Sequence, residues 1–453
     1  MHLHRYIALS LVMVFAAGGP ALAAVSSEEA ARLKDDLTPL GGIRAGNEEG
    51  TIPAWDGGYT EVPPGYESGE SREATFPEEE PRFRITAENM DEHEDKLTEG
   101  LKALLRKYPD SFYMDIYPTH RTAAAPQWVY DNTFENATSA EATQGGYSIE
   151  GAYGGLPFPI PQTGAEVMWN HLLRWRGQAG AIESQTMISD TSGRVSLAGR
   201  TLTRYNHPFY FEDGDLESFK NDWESNYFYG YQTTSAPPTK QGFAFILVDN
   251  LESGRQAWQY LVGQRRVRRA PDLSYDTPNP VTSSVDFFDE PFIQLGPFDK
   301  HSLKLVGKKE MYIPYNNNGA LAQPLDDLVG PHFWNPEHVR FELHRVWVVE
   351  AELRDGERHV MPRKTFYFDE DTGNGVMMDG YDSEGQLWHL AMAAQTVMPE
   401  FPGVFLENFI TMDLLKGTMS SFTWNELNPQ YEKVEPYSAR VMTPEYMGAE
   451  ALR

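Results

Sequence analysis

The chain has 453 residues, 40% of them hydrophobic and 13% aromatic, which is enough to bury a large core in one or two domains. Its formal net charge of −28 repels phosphate backbones and anionic membrane surfaces, so nucleic acid is not expected as a partner. The chain contains no cysteine, which excludes disulfides, thiolate metal sites and cysteine nucleophiles. Packing alone must therefore stabilise the fold.

Residues 1–23 have the form of an export signal. Arg5 precedes the apolar stretch 6–17, and Ala21 and Ala23 supply the small residues of a signal-peptidase site. The stretch is too short to span a bilayer, which takes about 20 apolar residues. Without a cysteine there is no lipoprotein anchor. We expect cleavage near Ala23 and a periplasmic protein, with peripheral attachment at the outer membrane as one option.

Residues 24–81 are predicted to form a short helix followed by an irregular arm. Ser26 and Glu29 have the spacing of a capping box, and the rest is rich in glycine and proline. A solvated linker is one interpretation of this composition, and an arm packed on the body is the other. Three apolar side chains that a linker would not need favour the packed arm: Ile52, Trp55 and Tyr59. Residues 82–453 are then one large β-rich domain.

Two helices are predicted in the first half of the chain. Thr86 caps the first, and its apolar residues recur at helical spacing, namely Leu97, Leu101, Leu104, Leu105 and Tyr108. Thr163 and Glu166 form a capping box that opens the second helix, which ends near Gly177. Between these helices, residues 127–134 are predicted to form a strand.

The second half is predicted to be strongly β. Residues 242–248 and 258–262 form a hairpin. Four more antiparallel strands follow at 339–353, 359–368, 376–381 and 386–392. Alternation along the first of these four places Glu342 and His344 on a solvated face. A late helix, packed on the sheet, is predicted through Phe405, Phe409, Met412 and Leu415. The fold class is α+β and β-rich.

Standard catalytic signatures are absent from the sequence, including a Walker A loop, a nucleophile elbow and a His-Glu-x-x-His motif. The acidic residues 369–371 and Asp379 lack the ligand pattern of a calcium loop, and we interpret them as hairpin turns. His332, His338 and His344 are candidate ligands or a general base, but a solvated strand face places such residues together by default. No catalytic residue, metal ligand or cofactor is predicted.

Residues 265–269 place four arginines within five residues of a strongly acidic chain. If the preceding strand continues, Arg266 and Arg268 share one face. The arginines could pair with surrounding carboxylates at a strand edge. They could also form an anion site beside Trp258 and Tyr260, since guanidinium groups bind carboxylate or phosphate bidentately. An amphiphile with an acidic head and an apolar tail would suit such a site.

Two resemblances to known families rest on these and other motifs. The run Gln-Ala-Trp-Gln-Tyr-Leu at 256–261, followed by the arginines of 265–269, resembles a strand signature of outer-membrane lipoprotein-sorting proteins, relatives of the carriers LolA and LolB. The Asp-Thr-Gly hairpin at 371–373 fits the same pattern. Most of the chain resembles an exported proteobacterial family, domain of unknown function 1329, through Leu-Thr-Pro-Leu-Gly at 37–41, Gly-Thr-Ile-Pro-Ala-Trp at 50–55 and Gly-Leu-Pro-Phe-Pro-Ile-Pro at 155–161.

The resemblance implies a large curved antiparallel sheet wrapped around helices, a LolA/LolB-like half-barrel whose apolar concave face holds acyl chains. It also implies a partnership with a resistance-nodulation-division exporter or an outer-membrane protein, and it offers no catalytic residues. The expected function is a periplasmic carrier for a hydrophobic or amphiphilic, lipid-like ligand. The candidate ligand-binding residues are Trp258, Tyr260, Arg266, Arg268, Phe341, Leu343 and Trp347. A non-catalytic adaptor of a transport complex and a hydrolase of a lipid-like substrate remain alternatives.

Overall fold

A computed structural model describes residues 24–271, 273–427 and 429–451, so the expected signal peptide lies outside the described residues. The α-helices in this part of the chain are α1 Ser27–Ala31, α2 Glu99–Lys107, α3 Gln127–Ser139, α4 Gly164–Leu172, α5 Leu216–Asp222, α6 Asn318–Leu321, α7 Leu325–Leu328 and α8 Pro444–Glu450. Short 3₁₀ helices lie at Arg32–Lys34, Met90–Lys96, Gln144–Gly146, Pro208–Tyr210, Val262–Gln264, Pro336–His338 and Ala439–Met442. None of these helices is long and apolar enough to cross a membrane.

Strands dominate the structure. The first nine are β1 Phe83–Ile85, β2 Met114–Ile116, β3 Glu141–Thr143, β4 Ser148–Glu150, β5 Ala179–Ser189, β6 Val195–Asn206, β7 Asn226–Ala236, β8 Ala244–Asn250 and β9 Gly254–Leu261. The others are β10 Arg266–Arg269, β11 His301–Pro314, β12 Arg340–Leu353, β13 Arg363–Asp369, β14 Gly375–Tyr381, β15 Leu387–Met398, β16 Gly403–Asp413, β17 Thr418–Thr423 and β18 Glu432–Lys433.

One large curved sheet contains all the strands except the β3–β4 hairpin. The strand order is β1-β2-β12-β13-β14-β15-β16-β17-β5-β6-β7-β8-β9-β10. In addition, β11 pairs with β12 and β18 pairs with β5. The pairs are antiparallel apart from β2 with β12. The two ends of this order are not paired with each other, so the sheet stays open. The predicted α+β, β-rich fold is confirmed.

The sheet separates two hydrophobic cores. Alternate residues of β15 point into opposite cores, with Ala391 and Ala393 in the first and Leu390 and Met392 in the second. Helix α4 packs in the first core, and α2 packs in the second. Both faces of the central strands are therefore covered.

The strands predicted around β8, β9 and β12 to β15 are confirmed, but three helix and strand assignments are wrong. Residues 127–134 belong to helix α3, in which Val129 is fully buried. Residues 403–413 form strand β16 rather than a helix, and every residue of β16 is buried. Burial on both faces removes the period-2 pattern that identifies a half-buried strand. The first helix begins later than expected, because Thr98 and not Thr86 caps α2.

The segment 24–81 runs along the body. Ile52 is buried in the second core, and the indole of Trp55 donates a hydrogen bond to the carbonyl of Ala123 at 2.9 Å. Further along, Glu79 makes ion pairs with Arg340 and His120. The division of the chain at residue 81 into an arm and one domain stays a prediction.

Candidate ligand-binding cavity

A cavity of about 130 Å³ lies between the sheet and the long loop 270–295. We call the sheet face that borders it the inner face. Residues of β5 to β9, β16 and β17 line the cavity. The aromatic members are Tyr205, Phe228, Phe245, Phe409 and Phe422 from strands, Phe243 from the turn before β8, and Phe288 and Phe292 from the loop. An apolar cavity of about 150 Å³ holds one benzene molecule, so this cavity suits a small apolar group.

Two residues near the end of the loop have an unusual backbone conformation where the loop contacts the cavity. Phe292 and Ile293 have φ angles of 57° and 76°, a left-handed conformation that is unusual for a bulky or β-branched residue. The ring of Phe292 is buried and contacts Phe409 edge to face. Strain of this kind persists only where surrounding contacts hold it, and it is common at ligand-binding segments.

Two buried arginines lie behind the aromatic wall of the cavity. The guanidinium groups of Arg174 and Arg176 lie 5.7 Å and 5.9 Å from the ring centre of Phe292, and Arg176 lies 4.7 Å from that of Phe228. Both arginines are almost fully buried, and they follow α4 in the connection to β5. Burial, together with the charge of Arg176, lowers the pKa of Arg174 to about 9.

Glu407 is the carboxylate whose charge acts most strongly on Arg174, and burial raises the pKa of Glu407. It nevertheless makes no direct ion pair with either arginine in the described part of the chain. Among the described residues, Nη2 of Arg174 and Oε2 of Glu407 are buried without a hydrogen-bond partner. Nε2 of His207, whose ring stacks on Phe228, likewise has no partner in this part of the chain. Buried polar groups are almost always paired, so these three atoms distinguish the cluster from the rest of the core.

A buried carboxyl group gives the cavity a second polar feature. Asp286 accepts hydrogen bonds from the hydroxyls of Ser420 and Thr282 and lines the cavity. Burial raises its pKa to about 6. The side chain is therefore largely neutral in mildly acidic solution and mostly ionised at neutral pH.

The predicted anion site beside two aromatic residues is wrong in its geometry. Across the β9–β10 pair, Arg268 lies opposite Gln259, so it shares that residue's face of the sheet. Arg266 lies on the same face. Trp258 and Tyr260 point to the other face, where they pack with residues of α8. Adjacent residues of a strand alternate between faces, which separates Arg266 and Arg268 from the aromatic rings, whereas Arg269 lies opposite Trp258.

The exposed Arg268 lies near the rim of the cavity, and the exposed Arg266 lies two residues before it in β10. Gln259 lines the cavity, and with its amide oxygen turned toward β10 it accepts hydrogen bonds from the guanidinium of Arg268. The described structure thus brings Arg268 close to the cavity without placing either arginine in its lining.

The other predicted binding residues do not line this cavity. Phe341 and Leu343 are buried in the second core, beyond the sheet. Trp347 packs at the edge of the first core, under the amino group of Lys308. These three residues occupy alternate positions of β12 and were predicted to share one face. In the structure Phe341 and Leu343 contribute to the second core, whereas Trp347 packs against the first, so they do not form one site.

The candidate histidines also lie outside the cavity lining. His332 stacks on Tyr108 and bonds the carbonyl of Gly417. His344 and Glu342 are almost fully buried, so their predicted position on a solvated face is wrong. The arm and the 117–121 segment cover that face.

The cluster of Arg174, Arg176 and Glu407 was not predicted from the sequence. A signal was present, since Arg174 and Arg176 are close together directly after an apolar helix in an acidic chain. Glu407 is likewise a charged residue inside the apolar run 404–410. A charge within an apolar segment is the pattern expected of a buried, partnered group.

This fold is an open curved sheet with an apolar cavity on its inner face. Residues 84–453 match the family described as "Protein of unknown function (DUF1329)", and the chain belongs to this family. The family predicted from the sequence is therefore confirmed. A relative from Pseudomonas aeruginosa, "Uncharacterized protein PA3922", is 37% identical over 442 residues, which is 95% of each chain.

Two solved structures are similar to this chain at low sequence identity. A putative outer membrane lipoprotein-sorting protein domain from Vibrio parahaemolyticus has a TM-score of 0.42 and 10% identity, and the alignment covers 61% of this chain and 94% of that domain. A DUF1329 family protein from Desulfovibrio piger has a TM-score of 0.41 and 14% identity, with coverage of 60% and 92%.

Proposed function

We propose that the protein is a periplasmic binding or carrier protein for an amphiphile with an anionic head group. The apolar tail occupies the inner-face cavity, and the head group reaches Arg174 and Arg176. The observation that carries this proposal is the pair of buried guanidinium groups that lie against Phe228 and Phe292, two side chains that line the cavity.

The charge of the cluster favours an anion. Two arginines share one nearby carboxylate, Glu407, with which neither is directly paired in the described residues. An uncompensated buried cation is unfavourable, and a carboxylate or phosphate accepts the forked donors of a guanidinium. An anionic head group would therefore relieve both the charge and the unpaired donor of Arg174.

The shape of the cavity favours a tail that enters by moving the loop. The present volume fits a group of roughly benzene size, so a longer chain requires the 270–295 loop to withdraw. Phe292 stands between the cavity and the arginines, in a strained backbone conformation. Its displacement would lengthen the cavity and open it to the head-group site in one movement.

This role is non-catalytic, and it is consistent with the export expected from residues 1–23. A partnership with an exporter or an outer-membrane protein remains a prediction from the resemblance. Failure of the folded protein to bind any amphiphile would favour the adaptor alternative.

Titration of two ligands of equal length tests the proposal. Decanoic acid and decanol are titrated calorimetrically into the chain that begins at residue 24 and into the Arg176→Met variant. A charge-assisted hydrogen bond is worth about 1.5–3 kcal/mol, so the variant should bind the acid roughly tenfold or more weakly and the alcohol almost unchanged. Arg265→Met, at an exposed position outside the cavity, is the matched control and should behave as the wild type.

Equal losses for acid and alcohol in Arg176→Met would show that the arginine only supports the fold. Absence of binding of both ligands to the folded wild type would contradict the proposal. Thermal unfolding of each variant, measured in parallel, establishes that the proteins compared are folded.

A further inference from the structure

A second buried polar cluster lies at the turn between β13 and β14, and none of its members lines the inner-face cavity. It combines His344 of β12 with Asp369 and Asp371. One potential ligand atom of each residue lies within 4.8 Å of the other two. The turn was predicted from the sequence, but its acidic residues are buried rather than solvated.

Asp369 has no direct ion-pair partner among the described residues, in contrast to the neighbouring Asp371. Asp371 is held by two hydrogen bonds from Arg121, of 2.8 Å and 2.5 Å. The side chain of Asp369 is 0% exposed. Oδ2 accepts a hydrogen bond from Thr372, whereas Oδ1 has no hydrogen-bond partner in the part of the chain that the structure describes. Burial and the charge of Asp371 raise the pKa of Asp369.

A tyrosine supplies an independent sign that the cluster lacks a partner. The ring of Tyr315 stacks on that of His344, with 3.9 Å between ring centres. Tyr315 is fully buried, yet its hydroxyl has no hydrogen-bond partner among the described residues. An unpartnered oxygen thus belongs to a ring that contacts one of the three candidate ligands.

Each potential ligand is oriented by a further hydrogen bond. Nε2 of His344 lies 3.2 Å from a carboxylate oxygen of Glu342, which leaves Nδ1 as the nitrogen for a ligand bond. Glu342 is itself held by Arg340, Asn316 and the backbone of His120. A histidine that binds a metal almost always donates its other N–H to a carboxylate, carbonyl or water. Thr372 and Arg121 orient the two aspartates in the same way.

We propose that His344, Asp369 and Asp371 bind a divalent transition-metal ion. One imidazole nitrogen and two carboxylate oxygens are donors that suit Zn²⁺ and its neighbours in the first transition row. Ligand bonds of about 2.0–2.2 Å place donor atoms no more than roughly 4.4 Å apart, so the turn contracts slightly around the ion.

The location suggests what such an ion does. Gly42 of the N-terminal arm packs directly on Asp371, since a Cβ at Gly42 would lie 2.4 Å from its carboxylate. The guanidinium of Arg121 also contacts backbone carbonyls of Arg44 and Pro53. An ion at the cluster would therefore fix the arm to the sheet through β12, the β13–β14 turn and Arg121.

Metal titration of the chain that begins at residue 24, after removal of metals with a chelator, tests the proposal. The wild type should bind one equivalent of Zn²⁺ or Co²⁺, and Co²⁺ should give visible absorption bands of a nitrogen and oxygen site. Asp369→Asn keeps the shape of the side chain and should weaken binding by roughly 10–100-fold or more. Asp379→Asn is the matched control, because Asp379 is an equally buried aspartate of β14 that does not belong to the cluster.

Thermal unfolding separates a lost ligand from a lost fold. Zn²⁺ should raise the unfolding midpoint of the wild type and leave that of Asp369→Asn unchanged, because a ligand stabilises only the state that binds it. No stoichiometric binding of Zn²⁺, Co²⁺ or Mn²⁺ by the folded wild type would overturn the proposal. Unchanged binding in Asp369→Asn, or binding of Ca²⁺ alone, would also overturn it.

Discussion

The ring of Phe292 meets the ring of Phe409 edge to face, with 5.2 Å between their centres, and this contact joins the loop to the floor of the inner-face cavity. Phe409 in turn stacks on Phe422 of the next strand at 5.0 Å. The loop is thus held in place by the same aromatic surface that a ligand would cover. A ligand bound as proposed would compete with the loop for these contacts.

Phe292→Ala should open the cavity and destabilise the protein. Removing a buried phenylalanine lowers the free energy of unfolding by about 3 kcal/mol or more. An amphiphile should bind more tightly to the variant, since it no longer displaces the ring, and denaturant unfolding with calorimetric titration measures both effects. Phe341→Ala in the second core is the control, with a similar loss of stability and unchanged affinity. Weaker binding in Phe341→Ala would instead restore Phe341 as a ligand contact.

Replacing both Arg266 and Arg268 by alanine should slow the capture of an acidic amphiphile and leave stability unchanged. The two side chains are exposed on β10 near the rim, where charges act mainly on association rates. Stopped-flow fluorescence at low and high salt should show a severalfold slower association at low salt and little difference at high salt. A large change in the dissociation rate would show instead that these arginines contact the head group of the bound amphiphile.

Asp286 should make stability fall as pH rises. Its folded pKa of about 6 exceeds its ordinary value, so the folded state binds the proton more tightly than the unfolded state does. Stability is then lost between about pH 4 and 6, by roughly 3 kcal/mol in total, and stays constant at higher pH. The difference between wild type and Asp286→Asn, from denaturant unfolding at each pH, isolates this group. Asp110→Asn at an exposed site should show no such difference.

The arm should be anchored more strongly by Ile52 than by Trp55. Ile52 is fully buried, and Ile52→Ala should lower the free energy of unfolding by about 3 kcal/mol. The indole of Trp55 is only half-buried, so Trp55→Ala should have a smaller effect despite its bond to Ala123. Limited proteolysis offers a second measurement. Rapid cleavage of the wild-type segment 38–81 would show a free linker instead.

Local chemistry made much of the second half predictable. The strands β13, β14 and β15 are joined by short turns that contain Asp and Gly, and each turn sets the register of its two strands. Strand β16 and helix α3 were not predictable in this way. Their neighbours in the fold, rather than their own pattern, decide which side chains are buried.

The sequence by itself determined the family, the α+β class and the hairpins, because these depend on local patterns and motifs. Only the tertiary structure decided the candidate sites. Arg174 and Glu407 are more than 200 positions apart in the chain. A fold in which β17 pairs with both β16 and β5 brings them close together. Likewise, the alternation of β9 could not show which face bordered the cavity. The chemistry of a side chain follows from its residue type, but its burial and its partners depend on strands that are distant in the sequence.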